Sequence, residues 1–296
     1  MKFGIGLPAT IPGVRGELIL DWARKADAGP FSSVTILDRL VYPNFEALTT
    51  LAAVGAVTQR VRLMTSVLLA PLRNPAMLAK MAASVDALSN GRLTLGLGIG
   101  GRADDFEAAG VSMKRRGRIF EEELALMRRV WSGQAVSDTI GSIGPKVVSP
   151  NGPEILIGGY SPDAVRRIGK WGDGYIAGGG GPAQSLELYN KAEESWKEAG
   201  RPGKPRFVSA FYFGLGPNAL ERAGQYIKHY YAFLGPGAEG MARAIPSTPE
   251  AVQQAIEARL QIGADEVILW PCIPDLDQVD RAAEIVHKLL SQHAPA

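Results

Sequence analysis

Gly158-Gly159-Tyr160-Ser161 follows the apolar run Ile155-Leu156-Ile157 directly and runs into Pro162. A strand that breaks at two glycines into Ser-Pro sets up a helix whose first N–H groups face the break. With no Cβ at two positions, an anion or a flat cofactor can approach that backbone closely. Gly178-Gly179-Gly180-Gly181, after Tyr175-Ile176-Ala177, clears side chains at the next strand end. Residues 158–161 alone fit a tight turn with an ordinary cap equally well, Asp163 answering the helix dipole. The two neighbouring loops together favour a phosphate.

Asp38-Arg39 follows the buried run 34–37, as a capping ion pair or as a contact to substrate and cofactor. Arginine cannot act as a general base near neutral pH, because its pKa exceeds about 12. The motif Gly96-x-Gly98-x-Gly100-Gly101 superficially resembles a dinucleotide fingerprint, but its third glycine has the wrong offset and no strand carries the expected acidic residue. His229, His287 and His293 fall in expected helices near the C-terminus and read as surface residues. The sequence offers no metal-ligand cluster, no Ser/His/Asp set and no P-loop lysine. A bound cofactor must then carry the reaction.

Eight apolar strands must position these residues, at 3–7, 34–37, 61–69, 93–98, 154–158, 174–177, 206–215 and 266–270. Helical spacing follows each one, at 17–28, 45–58, 76–88, 116–131, from 161, 182–199, 218–233 with 249–262, and 277–292. Continuous apolar strands alternating with helices predict one TIM (β/α)8 barrel over residues 1–296, with a doubly wound open sheet as the competitor. Sites in such barrels lie at the C-terminal strand ends, which selects the residues above together with Thr65-Ser66. The long connections 132–153 and 235–247 are expected as lids over that mouth.

The 296 residues carry a net charge of +2, which gives no reason to expect nucleic acid or an anionic membrane as partner. The single cysteine, Cys272, reads as a packed small residue. No apolar run approaches the ~20 residues of a membrane span, and no signal-peptide core follows Met1. A cytoplasmic protein is expected.

Asn74-Pro75 through Gly101, with Asp86-Ala87-Leu88-Ser89-Asn90-Gly91-Arg92 running into Leu95-Gly96-Leu97-Gly98-Ile99-Gly100, resembles the hallmark of the luciferase-like monooxygenase family. Ile157-Gly158-Gly159 … Gly172-Asp173-Gly174 is similar to that family's phosphate strand and following turn. The resemblance implies FMN or the deazaflavin coenzyme F420 at the mouth, with Gly158, Gly159, Tyr160 and Ser161 at its phosphate and Gly178 and Gly179 beside it. It places Gly98 and Gly100 near the cofactor. Thr65-Ser66-Val67 resembles the third-strand bulge of deazaflavin members, which implies a cis peptide between Ser66 and Val67 against the cofactor's middle ring.

Two departures stand out. Where similar deazaflavin dehydrogenases place Asp-His, this chain has Asp38-Arg39, and where some place a glutamate it has Gly101-Arg102. Arg39 is therefore expected to bind an anionic substrate, or to stabilise negative charge on a reduced cofactor or peroxide, with Asp38 beside it. Reduced FMN, supplied by a flavin reductase, would support oxygenation; deazaflavin would support hydride transfer. A non-catalytic flavin-binding member and an unrelated phosphate-binding isomerase or aldolase are the alternatives. The resemblance also implies a homodimer or higher homo-oligomer, pairing through helices beside the second and third strands. A small, flat or apolar organic substrate is expected against Trp270, Phe106 and Tyr42.

Overall fold

In the computed structural model, which describes residues 1–178 and 180–292, eight parallel strands close into a barrel in the order in which they occur in the chain. They are β1 (Lys2–Gly6), β2 (Ser33–Ile36), β3 (Arg62–Leu69), β4 (Leu93–Gly98), β5 (Glu154–Gly158), β6 (Gly174–Ala177), β7 (Arg206–Phe213) and β8 (Glu266–Pro271). The helices are α1 (Gly16–Ala28), α2 (Ala47–Val57), α3 (Pro75–Leu88), α4 (Ala103–Ala108), α5 (Arg116–Trp131) and α6 (Pro162–Trp171). They continue with α7 (Pro182–Glu198), α8 (Ala219–Tyr230), α9 (Pro236–Arg243), α10 (Pro249–Gln261) and α11 (Asp277–Gln292). The TIM barrel expected from the strand pattern is thus the fold. Among the described residues, no helix is long and apolar enough to cross a membrane.

The lumen is filled by Met64, Leu156, Ile176, Val208, Ile268 and Trp270, inward-facing residues of β3, β5, β6, β7 and β8. Trp270 fits because β1 is bare beneath it: a Cβ on Gly6 would lie 2.1 Å from the indole ring. At the opposite end Arg206 pairs with Glu154 and Glu266, and Ser33 Oγ donates to Glu266 at 2.7 Å. That polar layer satisfies the charges beneath an apolar lumen. The larger apolar core lies between strands and helices, with Trp22, Phe31, Phe120 and Phe207 fully enclosed.

The two long connections part company. Residues 132–153 follow α5 and precede β5, so they belong to the N-terminal face of the barrel. There Val148 N–H donates to Asp86 Oδ2 at 2.9 Å, and a Val148 methyl lies 3.0 Å from where a Gly91 Cβ would sit. This corrects the expectation of a lid, because a helix-to-strand connection returns to the face opposite the mouth. Residues 235–247 are at the mouth end, since Gly214 N–H donates to Pro246 O at 3.2 Å just beyond β7. They hold α9 with Pro236 at its start, where the sequence suggested an open loop. The insertion between β7 and α10 therefore stands over the strand ends as a packed helical hairpin, α8 against α9.

Candidate functional site

Strand β3 carries an irregularity at the mouth. Its register against β4 shifts between Thr65 and Leu68, and the Ser66–Val67 peptide is cis. Thr65 Oγ1 donates to Gly96 O at 2.7 Å and is buried, while Ser66 and Val67 are half-buried. The Val67 methyls sit between two strand ends: a Cβ on Gly98 would come 2.7 Å from one, and a Cβ on Gly158 2.6 Å from the other. The glycines of β4 and β5 thus make room for Val67 rather than opening directly on a ligand. Val67, half-buried between them, forms an apolar wall at the mouth ends of β3, β4 and β5.

Beyond β5, Gly159 has φ +154°, and a Cβ there would lie 2.4 Å from the Ala164 Cβ. Only glycine lets this turn approach α6 so closely. Ser161 caps α6, accepting from Ala164 N–H at 3.3 Å, with Pro162 and Asp163 in the first turn. Tyr160, 60% exposed, reaches across to the next loop, where a Cβ on Gly178 would lie 2.2 Å from its hydroxyl oxygen. Gly178 and Gly158–Ser161 therefore lie around one opening, with the Tyr160 phenol across it. Gly179 lies outside the described residues. Gly100, at φ +74°, packs against the buried Phe106.

Asp38 and Arg39 diverge at the end of β2. Asp38 accepts from Leu69 N–H at 2.9 Å and from both terminal nitrogens of Arg73, at 2.7 and 2.9 Å. Its carboxylate fastens β2 to the outgoing end of β3. Arg39, its side chain 4% exposed, donates from Nε to Asp105 Oδ2 at 2.8 Å and from Nη2 to Asp104 Oδ2 at 3.1 Å. Asp105 also accepts from the N–H groups of Leu40 and Val41. Arg39 Nη1 is buried with no partner among the described residues. The two residues thus act first as paired structural charges holding the strand ends. The short helix α4, which carries Asp104 and Asp105, was not visible in the sequence pattern.

Arg39 also borders a cleft of about 510 Å³ together with Tyr42, Arg102, His229, Tyr230 and Phe233. Arg102 lies over the rings of Phe233 at 3.8 Å and Tyr230 at 5.1 Å, and donates to Tyr230 O at 2.9 Å. Burial and the neighbouring Arg39 charge depress its pKa. His229, expected as a plain surface residue, is exposed on α8 yet meets Tyr42 Oη through Nδ1 at 2.7 Å. His287 is exposed, and His293 lies outside the described residues. Of the three aromatics expected in a pocket, only Tyr42 lines this cleft. Phe106 and Trp270 are packed inside. Cys272 is buried, and burial pushes its thiol well above the ordinary range, as a packed residue requires. Among the described residues no group of His, Cys, Asp and Glu could hold a metal.

The family model of luciferase-like monooxygenases matches residues 1–287. An uncharacterised protein of Mycobacterium tuberculosis is 31% identical over 210 residues, 60% of this chain and 71% of that one. The F420-dependent glucose-6-phosphate dehydrogenase of Nocardia farcinica is 32% identical over 178 residues, 57% of this chain and 48% of that enzyme. Among solved structures, the monooxygenase RslO1 of Streptomyces bottropensis superposes with a TM-score of 0.82 at 21% identity, covering all of both chains. An F420-dependent secondary alcohol dehydrogenase superposes at 0.78 and 21% identity, over 96% of this chain and 98% of that one. At such identity the structures establish a shared barrel. The family match over nearly the whole length goes further: this chain belongs to the luciferase-like monooxygenase family.

Proposed function

We propose that the chain is a deazaflavin-dependent oxidoreductase that moves hydride between an F420-type cofactor and a small organic substrate held in the cleft. The observation that carries this reading is the Val67 wall, a half-buried apolar side chain wedged between Gly98 and Gly158 at the strand ends. A flat ring system needs an apolar backstop of that kind, with a polar loop for its phosphate on one side and room for substrate on another. The 158–161 opening and the Arg39–Tyr42–Arg102–His229 cleft supply those two neighbours. The F420-dependent relative from Nocardia farcinica supports the same cofactor.

When bound, the deazaflavin supplies two-electron hydride chemistry. Backbone N–H groups at Gly159 to Ser161 and the start of α6 would hold its phosphate, with Gly178 leaving room and Tyr160 closing over it. Asp38 and Arg73 keep the β2 and β3 ends at fixed separation beneath the ring. Arg102 orients the substrate, and Phe233 and Tyr230 exclude water from it. A homodimer belongs to the same proposal, its pairing face on the outer side of α2.

A second reading is oxygenation with reduced FMN delivered by a reductase. Asp104 and Asp105, the carboxylates beside the cleft, are both engaged by Arg39, which suits a reaction needing no carboxylate base. Oxygen uptake separates the two. Hydride transfer predicts that reduced deazaflavin is reoxidised only when a carbonyl or activated-alkene acceptor is added, with no oxygen consumed. Oxygen uptake dependent on reduced FMN and substrate would replace the first reading with the second.

A further inference from the structure

The sequence places no histidine at a strand end, and the position after Asp38 is an arginine that cannot transfer a proton. The fold nevertheless brings a phenol and an imidazole to the cleft from elsewhere. Tyr42, on the loop after β2, and His229, on α8, are 187 residues apart in sequence and meet at 2.7 Å. The Tyr42 ring is held edge-on by Tyr230, with centroids 5.2 Å apart at 78°. Arg39 lies 5.7 Å from the ring centroid. Burial raises the Tyr42 phenol above its ordinary range, an upward push that the Arg102 and Arg39 charges offset only in part, so the phenol keeps its proton until a substrate oxygen takes it. His229 borders a second cavity as well, of about 310 Å³, lined by Ile11, Arg222, Tyr226 and Cys272. One side of the imidazole thus meets Tyr42, while its exposed position leaves it in exchange with solvent.

Resting on the hydride-transfer reading above, we propose that Tyr42, backed by His229, is the proton-transferring group of this site, and that the substrate is an alcohol or its carbonyl counterpart. In the reducing direction the carbonyl carbon accepts hydride supplied by the reduced deazaflavin. The C=O π pair moves onto oxygen, and that oxygen takes the phenol proton of Tyr42, whose O–H pair stays on Oη. His229 Nδ1–H, donating to Oη, then passes its proton across as Nε2 takes one from solvent. Hydride and proton together convert carbonyl to alcohol, and the cofactor leaves oxidised. Alcohol oxidation is the same sequence reversed. The Asp104 carboxylate at the cleft is held by Arg39 and takes no part in this transfer.

At 2.7 Å either partner can donate, and the relay requires the tautomer in which His229 Nδ1 carries the hydrogen. With His229 donating through Nδ1, the phenol hydrogen is free to point into the cleft. Two-bond ¹H–¹⁵N correlation spectra of the cofactor-free protein, with the resonance assigned through His229→Gln, should show the Nδ1–H tautomer. A dominant Nε2–H tautomer would overturn the relay.

The same protein should bind 4-nitrophenol preferentially as the phenolate, an oxyanion mimic whose ionisation is read in its visible absorbance. Tyr42→Phe should weaken phenolate binding by about tenfold or more, the worth of one hydrogen bond to a charged acceptor. The affinity for F420 should stay within about twofold, since the variant lies outside the phosphate opening and the Val67 wall. Equal phenolate binding by Tyr42→Phe, or no binding by the wild type, would overturn the proposal. Loss of F420 binding by the wild type would instead strike the cofactor reading, so the two failures are separable.

Discussion

Glu123 supplies a quantitative test of how the mouth-side core is built. It lies in α5 at 1% exposure, and neither carboxylate oxygen has a hydrogen-bond partner among the described residues. Burial pushes its pKa from 4.5 to about 8, against a smaller opposing pull from the Arg73 charge. A carboxyl whose folded pKa is raised contributes stability that is fully present below 4.5 and is lost as pH rises through about 8. The folded state therefore keeps Glu123 protonated at pH 7, while the unfolded chain ionises freely. At about 1.4 kcal/mol per pH unit, holding that proton at pH 7 costs on the order of 3 kcal/mol. Glu123→Gln keeps the shape and removes the titration. Urea unfolding at intervals from about pH 5 to about pH 8.5 should show the variant gaining on the wild type by roughly 1.4 kcal/mol per unit, reaching about 3 kcal/mol near pH 7. Parallel stability curves for the two proteins would refute the claim that this carboxyl is buried without a partner.

Three other outcomes follow from the contacts at the strand ends. Asp38→Asn leaves Arg73 without its buried carboxylate and should cost about 3 kcal/mol in chemical denaturation, whereas a loss below about 0.5 kcal/mol would deny the β2–β3 fastening. Gly158→Ala drives a methyl into Val67 and should cost about 1–3 kcal/mol while also weakening cofactor binding, both readable by thermal shift with and without F420. Gly178→Ala meets only the exposed end of Tyr160, so stability should fall by less than about 0.5 kcal/mol. Its cofactor affinity should nonetheless drop, and an unchanged affinity would remove Gly178 from the phosphate opening.

The barrel was legible because its strands are continuous apolar runs of the right length, each followed by helical spacing. The turn and helix cap at 158–161 were legible too, since two glycines before Ser-Pro end a strand and start a helix, but that pattern alone does not separate a phosphate loop from an ordinary cap. The cleft was not. Arg39 was visible, but its partner Asp105 sits on a six-residue helix too short to show a period. His229 carried no signal of its own, because its role depends on a contact with Tyr42 that only the closed barrel creates. The glycines at 98 and 158 were expected beside a cofactor, whereas in the fold their bareness first accommodates Val67. Placing the 132–153 segment required knowing which barrel face a helix-to-strand connection occupies, which follows from topology and not from composition.

The central claim is that the Val67 wall and the 158–161 opening select a deazaflavin. Titrating the cofactor-free protein with F420 and with FMN, following quenching of cofactor fluorescence, tests it most directly. The account predicts saturable F420 binding at least about tenfold tighter than FMN, a preference worth about 1.4 kcal/mol or more. Tighter binding of FMN, or saturable binding of neither, would contradict it.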